Sequence, residues 1–358
     1  MSRKSSAFWQ TKSTPTVKPA VWRSSGSARW IVSRSERGRH VPEEHSARQT
    51  SIWAVGGGKG GTGKSFLTSS MATCLALQGK RTILLDADLG GANLHNFFGL
   101  IRPRSSLTDF FEKKVPLQEI AVHTGIANLQ LITGSIGSLD SESINHAQKQ
   151  KLFRHVQALD ADMILIDLGA GTHINTLDTF LQADKMIVVT VPEITAIENM
   201  YQFIKSVYYR KLKSIFKAYD LNTLVQDTWK NRTAHNIRSL KDLINHLKLG
   251  SDQICSIFER EMSGFVVHLI LNEVRTPKDI LVGENLKRVC MNFFGLRVVY
   301  SGYTSYDEAV QKNINNKESF MLFNRLSPVV KEIRQITEHI VTQTPFPTPE
   351  ELFDGRVA

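Results

Sequence analysis

The chain has 358 residues, 41% hydrophobic and 22% charged, with a formal net charge of +10. That composition supports a folded core. No apolar run approaches the roughly 20 residues of a membrane-spanning helix and no signal peptide opens the chain, so the expectation is a cytoplasmic protein. Cys74, Cys255 and Cys290 stand far apart without C-x-x-C spacing, which excludes a disulfide framework or thiolate cluster and reads as reduced, buried thiols.

The positive charge is uneven. Residues 1–50 hold ten Lys/Arg against three acids, which leaves +3 for the other 308 residues. This segment is rich in Ser and Arg, lacks periodicity and carries Trp9, Trp22 and Trp30. It reads as a disordered basic tail, or as sequence ahead of a mis-assigned start.

From residue 51 apolar strands alternate with helical patterns, with strands expected at 51–56, 82–86, 128–132, 162–167, 185–190, 265–271 and 296–300. Runs such as Met163-Ile164-Leu165-Ile166 are continuously apolar, as strands buried on both faces must be. The fold class is α/β, a mostly parallel, doubly wound sheet with helices on both faces. Ligands of such sheets gather at the strand C-termini.

The first strand runs into Gly58-Lys59-Gly60-Gly61-Thr62-Gly63-Lys64-Ser65-Phe66, followed by helical spacing up to Gly79. Glycines let backbone N–H groups curl around phosphate oxygens, Lys64 supplies charge to the β/γ-phosphates, and the Ser65 hydroxyl suits Mg²⁺. The following helix points its positive end at the same place. Lys59 is surplus to that pattern and sits where its side chain can leave its own loop. The second strand ends in Asp86-Ala87-Asp88, whose carboxylates at i and i+2 point the same way. The fourth ends in Asp167-Leu168-Gly169-Ala170-Gly171, an acid suited to Mg²⁺ through water, then glycines that allow close approach to a γ-phosphate.

After the fifth strand come Thr190-Val191-Pro192-Glu193-Ile194-Thr195 and some 55 residues of amphipathic helical spacing rich in Lys and Arg. We read a helical insertion at about 210–262, whose apolar residues would suit either another protein's groove or the edge of its own sheet. Residues 51–345 then form one domain and 346–358 a C-terminal tail. Asn272, expected at a strand end, offers a donor and an acceptor matched to an adenine edge, or is a turn former. Near the end Val329, Val330, Ile333, Ile336 and Ile340 form an apolar stripe whose polar face is only weakly basic, which favours a core helix over a membrane anchor.

The loop with its second lysine resembles the deviant Walker A motif of the MinD/ParA family, and Asp86-x-Asp88, Asp167–Gly171, Thr190–Asn199 and Asn272 resemble that family's further motifs. The segments Asp86–Leu100, Asp167–Leu181 and Asn272–Gly283 are similar to the FlhG/FleN-like MinD branch. The resemblance implies ATP and Mg²⁺ as cofactors and slow regulatory ATP hydrolysis. It makes Lys59, Lys64 and Asp88 catalytic, with Lys59 reaching the nucleotide of a second subunit and Asp88 positioning the attacking water. Gly58 through Phe66, Gly169 and Asn272 would bind nucleotide, and Ser65, Asp86 and Asp167 would serve the metal. It implies a homodimer in the ATP state, a protein partner that stimulates hydrolysis or is positioned, and a spatial regulator of flagella or cell division, with a peripheral place on the inner membrane face allowed. ParA-type segregation on non-specific DNA is the less favoured alternative. Iron–sulfur carriers share the loop but need bridging cysteines that this chain lacks.

Overall fold

A computed structural model describes residues 50–347 apart from 89–90, 102, 104, 135–145 and 345. The basic tail, but for Thr50, and the C-terminal tail beyond 347 lie outside the described residues. The chain runs β1 (Ser51–Gly56), α1 (Lys64–Leu77), β2 (Thr82–Asp86), α2 (Leu107–Glu112), α3 (Leu117–Ile120), β3 (Val122–His123), β4 (Leu129–Ile132), α4 (His146–Gln157), β5 (Met163–Asp167), α5 (Ile174–Leu181) and β6 (Lys185–Thr190). It continues through α6 (Ile194–Ala218), α7 (Asn222–Lys230), α8 (Leu240–Gly250), α9 (Asp252–Met262), β7 (Val267–Val274), α10 (Pro277–Phe294), β8 (Val298–Ser305), α11 (Glu308–Asn316), α12 (Phe320–Phe323) and α13 (Pro328–Thr342).

The strands form one sheet in the order β3-β4-β2-β5-β1-β6-β7-β8, parallel throughout except for the β3–β4 pair. The β1 side chains from Ile52 to Val55 are buried between the helical layers, which explains why the central strands read as unbroken apolar runs. One core cluster lies on each face of the sheet. The expected doubly wound fold is thus present, with two local differences. β7 and β8 extend further than apolar content suggests, because register shifts carry their pairing past polar residues to Val274 and Ser305. Asn272 therefore lies within a strand rather than at its end. β3, two residues long, is too short to show a period.

The insertion has another beginning than its composition implies. α6 is one helix of 25 residues, so a boundary at about 210 falls within it. Separate helices start at α7. Ser239 and Asp242 form a capping box that starts α8, and Ser251 caps α9. Ile237, Leu243, Ile244, Leu247, Ile254 and Phe258 are buried in the core cluster they share with the strands. These apolar residues pack against the protein's own helices α6 and α10, as the Phe216 and Phe258 rings do at 6.3 Å. Glu261 ties α9 to α6, accepting from the Tyr219 hydroxyl at 2.7 Å and from Lys211 Nζ at 3.4 Å.

α13 packs on α1 and β8 with Val329, Val330, Ile333, Ile336 and Ile340 all buried. At about 2 kcal/mol for each fully buried aliphatic side chain, this stripe belongs to the core and is not free to anchor a bilayer. Phe346 packs beyond it, its ring centroid 5.2 Å from that of Tyr300 and 5.8 Å from that of His339. The domain's packing therefore passes the boundary drawn at 345. Among the described residues no helix is long and apolar enough to cross a membrane.

His268 on β7 is buried with Nδ1 2.9 Å from Ser301 Oγ. Burial, helped by nearby Lys185 and Arg297, pushes its pKa down to about 4. An unfolded histidine titrates near 6.5, so the unfolded chain takes up this proton first. The neutral imidazole favours the folded state fully above about pH 6.5, and that contribution, about 3 kcal/mol, is lost as pH falls toward 4. His268→Phe should therefore flatten the decline of urea-unfolding stability between pH 7 and 4.5 relative to wild type. Parallel declines would show that another group carries the acid sensitivity.

Candidate functional site

The parallel register brings the ends of β1, β2 and β5 to one edge, with Val55 opposite Asp167 and Asp86 opposite Asp167 on the other side. The loop 57–63 leaves β1 there and turns directly into α1. Gly63 caps the helix with φ +85°, a left-handed conformation that suits glycine, and no side chain caps the first N–H groups of α1. Gly58 passes so close to the Asn199 carbonyl of α6 that a Cβ would overlap it. Gly60 and Gly61 face open space.

Lys64 is 8% exposed and its Nζ donates to the Lys59 carbonyl at 3.1 Å. Burial lowers its pKa, opposed by Asp167 and Asp88. Asp167 is 2% exposed and accepts from the Ser65 hydroxyl and from Thr68 Oγ1 at 3.2 Å. Burial nonetheless pushes its pKa up to about 6. Asp86, 1% exposed, rises to about 7 through burial and then the neighbouring Asp167. Its two oxygens accept from the backbone N–H groups of Asp88 at 3.2 Å and Leu94 at 3.1 Å, so Asp86 shapes the turn after β2. Asp88 lies between the two loops: a Cβ at Gly169 would stand 3.1 Å from its carboxylate and one at Gly91 3.3 Å.

Lys59 leaves the loop. Its Nζ lies 3.0 Å from Glu193 Oε2 and 3.1 Å from Thr195 Oγ1, at the exposed start of α6. Phe66 is buried edge-on to Phe320 at 5.5 Å. Asn272 is 4% exposed; its Nδ2 donates to the Thr62 carbonyl at 3.0 Å and its Oδ1 accepts from Thr304 Oγ1 at 2.5 Å. One amide hydrogen and the oxygen of Asn272 are thus used in bracing the loop from below.

All the residues singled out from the sequence meet at this edge. Thr68, Glu193, Thr195 and Thr304 join them without having been assigned a role. Thr68 was accessible to inspection, since it lies one turn beyond Ser65 on α1. Thr304 was not, because only the β7–β8 pairing brings it beneath the loop.

The residues fit a magnesium nucleotide. The Thr62 hydroxyl is buried without a partner, Lys64 is a desolvated cation met by one carbonyl, and the N-terminus of α1 is uncapped. Each gains from phosphate oxygens. The Ser65 hydroxyl beside Asp167 is the donor set a Mg²⁺ ion bound largely by phosphate and water would use.

Residues 48–215 match a ParA family model described as NUBPL iron-transfer P-loop NTPase. The chain is 32% identical over 153 residues to an uncharacterized ATP-binding protein of Methanocaldococcus jannaschii, covering 42% of this chain and 56% of that protein. It is 30% identical over 162 residues to the antiactivator FleN of Pseudomonas aeruginosa, covering 45% of this chain and 57% of FleN. The chain spans little more than half the length of these relatives. The cell division ATPase MinD of Pyrococcus furiosus shares the fold, with a TM-score of 0.56 at 19% identity over 82% of this chain and 99% of that one. Of the three cysteines, Cys74 and Cys290 are buried and Cys255 is half-buried on α9. Motifs and matched segment agree that residues 48–215 are similar to the ParA family, and the topology is the fold of the MinD ATPase.

Proposed function

We propose that the protein is an ATP-dependent dimerising switch, a slow Mg²⁺-dependent ATPase that acts in the cytoplasm as a spatial regulator of flagellar or division-site placement. The position of Lys59 carries this reading. A lysine serving its own phosphates would curl inward beside Lys64, whereas Lys59 is held outward by Glu193 and Thr195 on an exposed rim. From there it can exchange one anionic partner for another on a facing subunit. The relation to FleN favours the placement role. A DNA matrix has less support, because residues 51–358 carry only +3.

Lys64 and the α1 N-terminus bind and orient the phosphates, and Ser65 and Asp167 hold the metal, Asp167 through water. A magnesium ion held there would supply charge neutralisation at the phosphate oxygens. Asp88, touching both glycine-bearing loops, orients the attacking water and senses the terminal phosphate together with Gly169. Asp86 holds the loop that carries Asp88. A protein partner completes the site and stimulates turnover.

Lys64→Ala should abolish binding of a fluorescent ATP analogue, whereas Lys59→Ala should keep affinity within about threefold and lose the ATP-dependent dimer. Light scattering with Mg-ATP and Mg-ADP reads both. Normal dimerisation of Lys59→Ala would rule out the intermolecular lysine.

Asp88→Ala should trap an ATP-bound dimer, with turnover down by about 100-fold or more and affinity nearly unchanged, the signature of a group that acts in the transition state. An equal loss of affinity and turnover in calorimetry and phosphate release would assign Asp88 to structure instead.

A further inference from the structure

The connection between α7 and α8 is held by few buried contacts. Thr228 is the one fully buried residue of α7. Residues 231–236 are exposed throughout and are closed on themselves by backbone turns, with the Ile237 N–H donating to the Arg232 carbonyl at 2.9 Å and the Ala234 N–H to the Asn231 carbonyl at 3.1 Å. Asn236 has φ +54°, a left-handed conformation that asparagine tolerates. A segment with so little apolar burial opens at low cost, and anything that ties it to a packed helix adds order that the chain itself supplies sparingly.

Two imidazoles meet across this connection. His235, in the exposed run, and His246, half-buried on α8, have ring centroids 4.5 Å apart with planes inclined by 38°. Among the described residues neither ring is engaged by a hydrogen bond or an ion pair. The cations nearest in sequence are turned elsewhere: the Arg232 guanidinium lies 5.3 Å from the centre of the Trp229 ring, Lys230 faces Asp227 at 3.8 Å and Lys241 donates to the Asn292 carbonyl at 3.4 Å. Asp242, one turn before His246, is the acid of the α8 capping box. A neutral imidazole carries one nitrogen lone pair. Two such rings this close suit a borderline divalent cation, which takes imidazole nitrogens at about 2.0–2.1 Å.

We infer that His235 and His246 together ligate a divalent ion of the Zn²⁺ class, which staples the α7–α8 connection to α8. Among the described residues no third His, Cys, Asp or Glu joins them, so water fills the remaining positions and the site stays open to solvent. Its ligand chemistry separates it from the P-loop edge, since Mg²⁺ takes oxygen donors and dehydrates reluctantly. The ion joins an exposed turn to a helix whose Leu243, Ile244 and Leu247 are in the core, and occupancy therefore sets how often the turn opens.

The test takes the full chain, stripped of metal by a chelator, and adds Zn²⁺ or Mg²⁺ without nucleotide. Limited digestion with trypsin reports the place of binding, because Lys230 ends α7 and Arg232 follows it. Saturating Zn²⁺ should slow cleavage after these two residues by about tenfold or more relative to cleavage elsewhere in the chain, and Mg²⁺ should leave it unchanged. His235→Phe and His246→Phe keep a ring at each position and remove the ligand. Each should weaken the Zn²⁺ effect by about tenfold or more in concentration, and the double variant should lose no more than either single one, as expected of two groups that act through one ion. Circular dichroism and urea unfolding of the metal-free variants should match wild type, which separates loss of the ion from loss of the fold. Zinc protection that persists in both Phe variants places the ion elsewhere and overturns the assignment. So does a wild type whose cleavage after Lys230 and Arg232 does not respond to Zn²⁺, because the two rings then only stack.

Discussion

Two buried carboxylates side by side set the electrostatics of the edge where the glycine-rich loop leaves β1. Asp86 and Asp167 end adjacent parallel strands in register, each almost fully buried, and both are pushed well above the usual carboxylate range by burial. Such a pair cannot ionise cheaply unless cations or hydrogen-bond donors face it. Those donors are local: Ser65 and Thr68 on α1 for Asp167, and the backbone of the following turn for Asp86. Lys64, itself desolvated, is the nearby positive charge. The site is poised electrostatically, with buried charges of both signs whose balance shifts when an anionic, metal-bearing ligand enters.

The same constraint links the two loops that would sense the ligand. Asp86 fixes the turn that presents Asp88, and Asp88 rests against Gly169 in the loop after Asp167. A change at the phosphate end therefore reaches both loops through one carboxylate and short backbone segments. Lys59 stands outside this arrangement, held at the rim by two side chains of the α6 start in a partly exposed ion pair. Exposed pairs contribute little to stability, about 0–1 kcal/mol. That lysine can be transferred to another anion without disturbing the fold.

The periphery is fixed by apolar burial. α13 closes one face through five buried aliphatic side chains, and α8 and α9 pack through residues that join the main core.

By itself, the sequence determined the α/β class, seven of the eight strands and the phosphate loop with its outward lysine, because continuous apolar runs and a glycine-rich turn are local signals. It also brought Asp86, Asp88 and Asp167 together, since strand ends of a parallel sheet share one edge whatever the strand order. The tertiary structure alone decided where the side chains spend their hydrogen bonds. Asn272 suits an adenine edge by its chemistry, and the β7–β8 pairing also sets Thr304 beside it and the Thr62 carbonyl above it, so one amide hydrogen and the oxygen brace the loop. The helices after residue 218 looked equally suited to a partner and to the sheet edge, since a helical stripe does not encode what covers it. Packing settled that question, because burying Leu243, Leu247, Ile254 and Phe258 in the existing core removes apolar surface from water without needing a second chain.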